Sequence, residues 1–308
     1  MSVIFRNESR PDLSEVAGQL NFTAEYLTPI IFPTINVYEE GGQISVATRI
    51  AVSGDVNRAY NADLTLNHFG NTPIPYSCSG YDCRVVLTDS DLKNKGDDLD
   101  IIQAEAAKFG VEGSLGKIEA SLPTVLGTAT QTVTLASAQP YAKLAEASYM
   151  VADYGEPTLV CSQWFFTQLL AMPAFVEPIL KLFGDRVITD IMTGNDQVSR
   201  AVGNWMGLGG IYLAKDEFWK GAVGSENPGF IVARRREMAD PAQAYWTAKA
   251  KPCLGANLVF TPRGEEGHPF SVDTAYLPGP KLNAVDVTLK SIPKVFNIGA
   301  VAKVNLPG

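Results

Sequence analysis

Histidine is almost absent from this 308-residue chain: there are two, His68 and His268, 200 positions apart and both in polar sequence. Zinc sites draw on His and Cys at short fixed spacings, so a helical His-Glu-x-x-His pair is excluded and both histidines read as exposed loop residues. Cysteine is scarce too, at four: Cys78, Cys83, Cys161 and Cys253. Cys78 and Cys83 flank Ser79-Gly80-Tyr81-Asp82 and could meet across a turn, but one pair supplies half of a tetrahedral site, and Cys161 lies in an apolar, strand-like segment. The first 15 residues carry Arg6, Glu8, Arg10, Asp12 and Glu15 with no apolar run. Nothing there resembles a secretory leader, so the thiols are expected to be reduced, whether Cys78 and Cys83 pair stays open, and the Asn7-Glu8-Ser9 and Asn21-Phe22-Thr23 matches read as chance.

Basic residues are outnumbered, 25 against 33 acidic, for a net charge of −8. A protein that holds nucleic acid by neutralising phosphates needs the opposite balance. Long apolar runs are missing as well. The best window, Leu169 to Phe183, is broken by Pro173, Glu177, Pro178 and Lys181, short of the roughly 20 apolar residues a membrane helix requires. The chain is expected to be soluble and to contact no membrane.

The usual apparatus of catalysis is also missing. No Gly-x-Ser-x-Gly elbow occurs, and Gly207-Leu208-Gly209-Gly210 follows a helical pattern where a dinucleotide loop would follow a strand. Gly110-Val111-Glu112-Gly113-Ser114-Leu115-Gly116-Lys117 has five residues between its outer glycines, where a phosphate loop has four, and Ile118 where a hydroxyl must meet magnesium. The sequence therefore nominates no catalytic, cofactor-binding or metal-ligating residue, and the expectation is a protein that is not an enzyme and carries no cofactor.

What is present is core material: 46% of residues are hydrophobic and 19% charged, enough for about two lobes or one elaborated domain. Residues 1–40 lack a sustained period and contain Pro11, Pro29 and Pro33 beside Leu27, Ile30, Ile31, Phe32 and Ile35; they read as an extended arm that packs on something else. Gln43 to Ile50 and Arg84 to Thr88 alternate with period two, and the long polar stretch between them suggests a protruding hairpin. Asp97 to Leu122 predicts a helix, with acids at its start and Pro123 as its end; Gly110, Gly113 and Gly116 imply either a break or a stripe where another backbone comes close.

From Ser137 to Phe270 helices and strands alternate. The pattern predicts a helix to Asp153 with Leu144, Ala147, Ser148 and Val151 on one face, a strand Thr158–Cys161, a helix capped by Ser162 and stopped by Pro173, a helix Asp196–Met206, and strands at Gly210–Ala214 and Phe230–Ala233. Val285–Lys290 and Phe296–Ala302 predict two more strands. Trp164, Phe165 and Phe166 read as core more readily than as a pocket lining. Arg234-Arg235-Arg236, the one basic run, is either a solvated strand end or a contact for phosphate or a neighbour's acids.

The order of these elements resembles the tailed-bacteriophage major capsid proteins of the Hong Kong 97-type fold. Two stretches carry the resemblance. Tyr26-Leu27-Thr28-Pro29-Ile30-Ile31-Phe32-Pro33-Thr34-Ile35-Asn36-Val37 is similar to the family's arm motif, and Leu159-Val160-Cys161-Ser162-Gln163-Trp164-Phe165-Phe166-Thr167-Gln168-Leu169-Leu170-Ala171-Met172-Pro173 to the opening of its axial lobe. The resemblance implies an α+β capsid fold: an N-terminal arm over residues 1–40, an extended hairpin loop over 41–85, a peripheral lobe with a long spine helix over 86–135 and 271–308, and a mixed α/β axial lobe over 136–270. It further implies hexamers and pentamers of the chain closing an icosahedral shell around double-stranded DNA held without sequence-specific contacts. A scaffolding protein or propeptide, a portal and decoration proteins would be the other partners. Assembly would take place in the host cytoplasm and the product would be the virion.

Long arms that bury their apolar groups on other copies suit such a subunit, and net negative charge would leave packed DNA mobile. Deleting residues 1–20 is expected to impair assembly more than lobe folding. An encapsulin-type nanocompartment shell enclosing cargo protein is the nearest alternative. An α/β enzyme built on residues 136–270, marked by a pocket with converging polar groups, and a tail-tube component stand further off.

Overall fold

A computed structural model describes residues 8–9, 26–47, 71–87, 99–219, 229–238, 240–261, 270–277 and 282–307. His68, His268, the tip of the expected hairpin and most of residues 1–25 lie outside them. In chain order the elements are β1 (Glu8–Ser9), α1 (Thr28–Ile31), β2 (Thr34–Val37), β3 (Gly41–Ala47), β4 (Asn71–Ser77), β5 (Ser79–Leu87), the spine helix α2 (Leu99–Leu126) and β6 (Gln131–Thr134). There follow α3 (Pro140–Val151), β7 (Glu156–Ser162), α4 (Gln163–Leu170), α5 (Pro173–Phe183), α6 (Arg186–Met192), α7 (Asp196–Trp205), β8 (Ile211–Ala214), α8 (Asp216–Trp219) and β9 (Gly229–Arg234). Last come α9 (Pro241–Ala250), β10 (Gly255–Phe260), β11 (Phe270–Leu277), β12 (Leu282–Val295) and β13 (Val301–Asn305). The class is α+β, as expected.

Two sheets organise the molecule. The first runs β1-β11-β12-β10-β2, with β5 also on β12. β12 is long enough, at 14 residues, to pair β11 along one edge and β5 then β10 along the other. Its alternation is the sequence pattern made visible: Val285, Val287 and Leu289 are buried against α2, while Asp286, Thr288 and Lys290 face outward. The second sheet runs β6-β13-β9-β7-β8. Its central strands β7 and β9 read as continuous apolar runs because helices cover them, and Leu159, Val160, Phe230 and Ile231 have no measurable exposure. β3 and β4 form a separate antiparallel pair with Ile44 opposite Ile74.

Several local expectations hold. Leu144, Ala147, Ser148 and Val151 are the buried face of α3. The Ser162 hydroxyl accepts the Phe165 amide at 3.1 Å and caps α4. Phe165 and Phe166 are core, but Trp164, expected there with them, is 39% exposed. Of the two readings of the spine glycines the break is wrong and the close approach holds in altered form, because side chains and not another backbone come near. α2 is unbroken over Gly110, Gly113 and Gly116, and side chains fill the places their Cβ atoms would take: Val287 at Gly110, Cys83 at Gly113 and the Phe218 ring at Gly116.

Other expectations are corrected. Pro123 does not end α2, which continues to Leu126. The lost amide donor and the ring's crowding cost about 3 kcal/mol, but Leu122 and Leu126 are both fully buried, and each such leucine contributes about 1.5–3 kcal/mol. Pro173 stops α4 but opens α5 as its first-turn proline, and α5 and α6 were not foreseen. Residues 298–300 form a 3-10 turn, so the expected strand over 296–302 begins instead at Val301. Strand pairing also crosses the expected lobe boundaries: β10, from within 136–270, joins β12 in the first sheet, whereas β6 and β13 complete the second.

The largest correction concerns the arm. Leu27, Ile31, Phe32 and Ile35 are buried in the chain's own cores, and β2 pairs in parallel with β10, Thr34 to Asn257 through Val37 to Phe260. Residues 26–37 therefore pack on their own body. Holding them there is Glu119, a fully buried acid on the spine helix. Its carboxylate accepts the Leu27 amide at 3.0 and 3.1 Å, the Thr28 amide at 3.1 Å and the Thr28 hydroxyl at 2.8 Å. Burial raises the Glu119 pKa above the ordinary carboxylate value, against the opposing pull of the Thr28 hydroxyl and the two amides. No single helix among the described residues is long and apolar enough to cross a membrane; α4 and α5 are bent by 89° at their junction.

Candidate subunit interface

Apolar side chains left on the surface are the first place to look for a surface that binds another protein. On α5 and α7 they are adjacent. Leu182 is 59% exposed, Trp205 42% and Phe183 38%, and the Phe183 and Trp205 rings meet edge to face with centroids 6.3 Å apart. Tyr141 of α3 supports them from below. Its ring meets Trp205 at 5.3 Å in a T-shape and stacks on Phe175 at 5.5 Å, and its hydroxyl donates to the Phe175 carbonyl. Burial pushes the Tyr141 phenol up to about 12, so it remains a neutral donor at any ordinary pH. The indole is thus held rigidly and presented to solvent, the arrangement that makes an aromatic side chain a strong interface anchor.

α9 offers a second such place. Ala244 and Ala248 face the core, whereas Trp246 is 68% exposed. The Lys249 ammonium lies 4.4 Å from the Tyr245 ring centroid and 5.6 Å from that of Trp246. Beneath α9 lies the β3–β4 pair, with Ile44 and Val46 buried in the same core. Pro73 and Pro75 sit in β4, and a strand carrying two prolines lacks the donors for a regular second partner.

A concave polar site lies between α6, α7, β8 and the end of β9, with a cavity of about 340 Å³. Asp196 at the start of α7 accepts the Tyr212 hydroxyl at 2.8 Å and Arg200 Nε at 3.0 Å. Arg234 Nη1 donates to the Tyr212 oxygen at 3.1 Å. The Tyr212 hydrogen bond heads the causes that raise the Arg200 pKa further above its already high value. Two guanidinium groups face one carboxylate here, so the chemistry on offer is anion binding.

The three arginines of the basic run have distinct partners. Arg234 faces this cavity, Arg235 donates to the Pro252 carbonyl at 2.7 Å, and Arg236 grips Glu156 with two bonds of 2.8 and 2.6 Å. The solvated-strand-end reading therefore fails for Arg235, whereas Arg236 stays exposed to solvent while paired with an acid of its own chain. Cys78 and Cys83 are free thiols in different settings, Cys78 directed at the Leu258 carbonyl at 3.6 Å and Cys83 against the spine helix. Burial pushes the Cys78 thiol up to about 11. No group of three His, Cys, Asp or Glu that could hold a metal occurs among the described residues. Sequence reasoning missed the Trp205 surface and the Tyr212 cavity. The Asp196/Arg200 spacing on one helix face was a legible signal for part of the latter; Tyr212 and Arg234 come together only through the sheet.

No protein-family model matches the chain, and no curated protein does. Solved structures do. A phage-related protein from Bordetella bronchiseptica matches with a TM-score of 0.64 at 13% identity, over 97% of each chain. The capsid of the cyanophage P-SCSP1u matches at 0.54 and 8% identity, over 100% of this chain and 91% of that one. An encapsulin complex from Synechococcus elongatus matches at 0.51 and 14% identity, over 89% and 84%.

Proposed function

We propose that this chain, whose fold is that of the Hong Kong 97-type capsid proteins, is the major head protein of a tailed phage. Hexamers and pentamers of it close an icosahedral shell around double-stranded DNA, which the shell touches without reading sequence. The observation that carries the reading is the capsid fold over nearly the whole chain, joined to a bare, rigidly supported aromatic surface at Leu182, Phe183 and Trp205. The other partners are a scaffolding protein or propeptide, a portal and decoration proteins; the site of assembly is the host cytoplasm and the destination the virion.

The parts take capsid roles in this reading: residues 41–85 the extended loop, the first sheet with the spine helix the peripheral lobe, and the second sheet with its helices the axial lobe. β10 belongs with the former and β6 and β13 with the latter, as their pairing requires. A shell subunit needs no bond-making chemistry, and the cyanophage neighbour is a capsid. Electron microscopy of purified protein, with and without a scaffold, tests the proposal: closed particles or capsomer rings support it, and a monomer under every assembly condition refutes it. The encapsulin match supports a second reading, a compartment enclosing cargo protein. Particles from the native source that contain protein cargo and no DNA would decide for that one.

A further inference from the structure

We propose that the cavity beside β8 receives a carboxylate side chain from a second copy of this chain, with Arg234 as the receiving group; this rests on the self-assembling reading above. The charges inside the cavity do not balance. Asp196 is already paired: Oδ1 accepts the Tyr212 hydroxyl and Arg200 Nε, and Oδ2 lies 2.9 Å from Arg200 Nη2. Arg234 has the Tyr212 oxygen at 3.1 Å and that ring's face, 5.6 Å from its guanidinium carbon to the centroid, and among the described residues no carboxylate bonds it. Among the described residues Arg200 and Asp196 cancel, which leaves the positive charge of Arg234 without a carboxylate partner there.

That fork fits a carboxylate with two parallel bonds, and arginine cannot shed its proton to relieve the imbalance. Apart from Ser199 the remaining walls are apolar, among them Leu27, Ile191 and Ile211. They lower the local dielectric around the charge and suit the methylene stem of a glutamate. A volume of about 340 Å³ is at the small end of ligand sites, which run from about 300 to 1,000 Å³; it suits one side chain better than a cofactor. Each copy carries 33 acidic and 25 basic residues. Copies of such a chain repel one another unless an interface places an unmatched cation against the acids that are in excess, and Arg234 is such a cation.

The test uses Arg234→Met, which keeps the stem and removes the charge, Arg234→Lys, which restores it, and hexanoate as a free carboxylate probe with hexanol as its uncharged control. Unassembled wild-type subunits should bind hexanoate at least tenfold more tightly than hexanol, and Arg234→Met should lose that preference while melting within a few degrees of wild type. The threshold concentration for assembly should rise at least tenfold for Arg234→Met and recover in part for Arg234→Lys, and millimolar hexanoate should raise it for wild type alone. Assembly of Arg234→Met at the wild-type threshold overturns the proposal, as does equal hexanoate binding by both proteins. Wild-type subunits that never assemble refute the shell reading and, with it, the neighbour as occupant.

Discussion

Replacing Glu119 by alanine is expected to be among the most damaging single changes available in the spine helix. The truncation strands three buried donors, the amides of Leu27 and Thr28 and the Thr28 hydroxyl. A donor left unsatisfied in the interior costs about 1–3 kcal/mol, so the gross loss is about 3–9 kcal/mol before relaxation. Against it stands relief from burying a carboxylate whose bonding partners are all neutral, together with water that can enter the space; a net loss of about 3 kcal/mol is the working figure. Urea unfolding of the unassembled subunit measures it, and hydrogen exchange locates it: protection should fall at Leu27 and Thr28, with the spine helix losing much less. Unchanged stability and unchanged protection at those two amides would refute the reasoning.

The same residue gives a pH signature of unusual sign. Because burial raises the folded pKa of Glu119 above its unfolded value, the folded state binds the proton more tightly. Stability from this group is fully present below the unfolded value and is lost as pH rises through the raised folded one. Most carboxylates that are paired in the native state do the reverse. Glu119→Gln keeps the shape and abolishes the titration, so wild type should hold its largest advantage over this variant at acid pH, and the advantage should shrink towards neutrality. An advantage that grows from pH 4 to pH 8 contradicts the assignment.

Three further outcomes follow from contacts on the same framework. Gly110→Ala should destabilise by about 1–3 kcal/mol through overpacking, since its Cβ would overlap Val287 Cγ2 and lie 2.9 Å from Val287 Cβ; a Val287→Ala background removes the γ-methyl but keeps the Cβ, so the penalty should shrink without vanishing, and additive free energies in that double-mutant cycle would refute the contact. Leu182→Asp places a charge on the exposed aromatic surface, so particle yield should fall severalfold while the subunit's melting temperature stays within a few degrees of wild type. Arg236→Ala breaks a two-bond ion pair whose arginine side chain is 57% exposed, so a loss of less than about 1 kcal/mol is expected on thermal unfolding.

Elements set by local physics were legible in advance. Ser162 could be read as a cap because its hydroxyl reaches an amide three residues on, and the β12 alternation because one face is buried and the other wet. Pro123 was misread because a local rule met a tertiary force: two leucines buried on either side of it outweigh one lost bond. The pairing of β10 with β12 and of β13 with β9 was not legible, because nothing in a strand's own composition states which sheet will accept it. The candidate surfaces divide in the same way. Arg234-Arg235-Arg236 stood out as a run, yet the three part company in space according to what Tyr212, Pro252 and Glu156 bring to them.

The placement of residues 26–37 changes what assembly has to supply. Were Leu27, Phe32 and Ile35 bare in the single chain, shell formation would complete an unfinished core and a free subunit would aggregate. Instead three apolar clusters close within the described residues: one around the second sheet, one between spine helix and first sheet, and one beneath α9. Within the described residues the fold has therefore already buried these apolar side chains, and the contributions those residues offer to association are smaller and adjustable, an aromatic surface on α5 and α7 and the proposed receiving cation beside β8. In the proposed shell, contacts of that kind would break and re-form, which would let a growing particle release a misplaced subunit, and they would place the sensitivity of assembly to salt and competing anions in a few nameable residues.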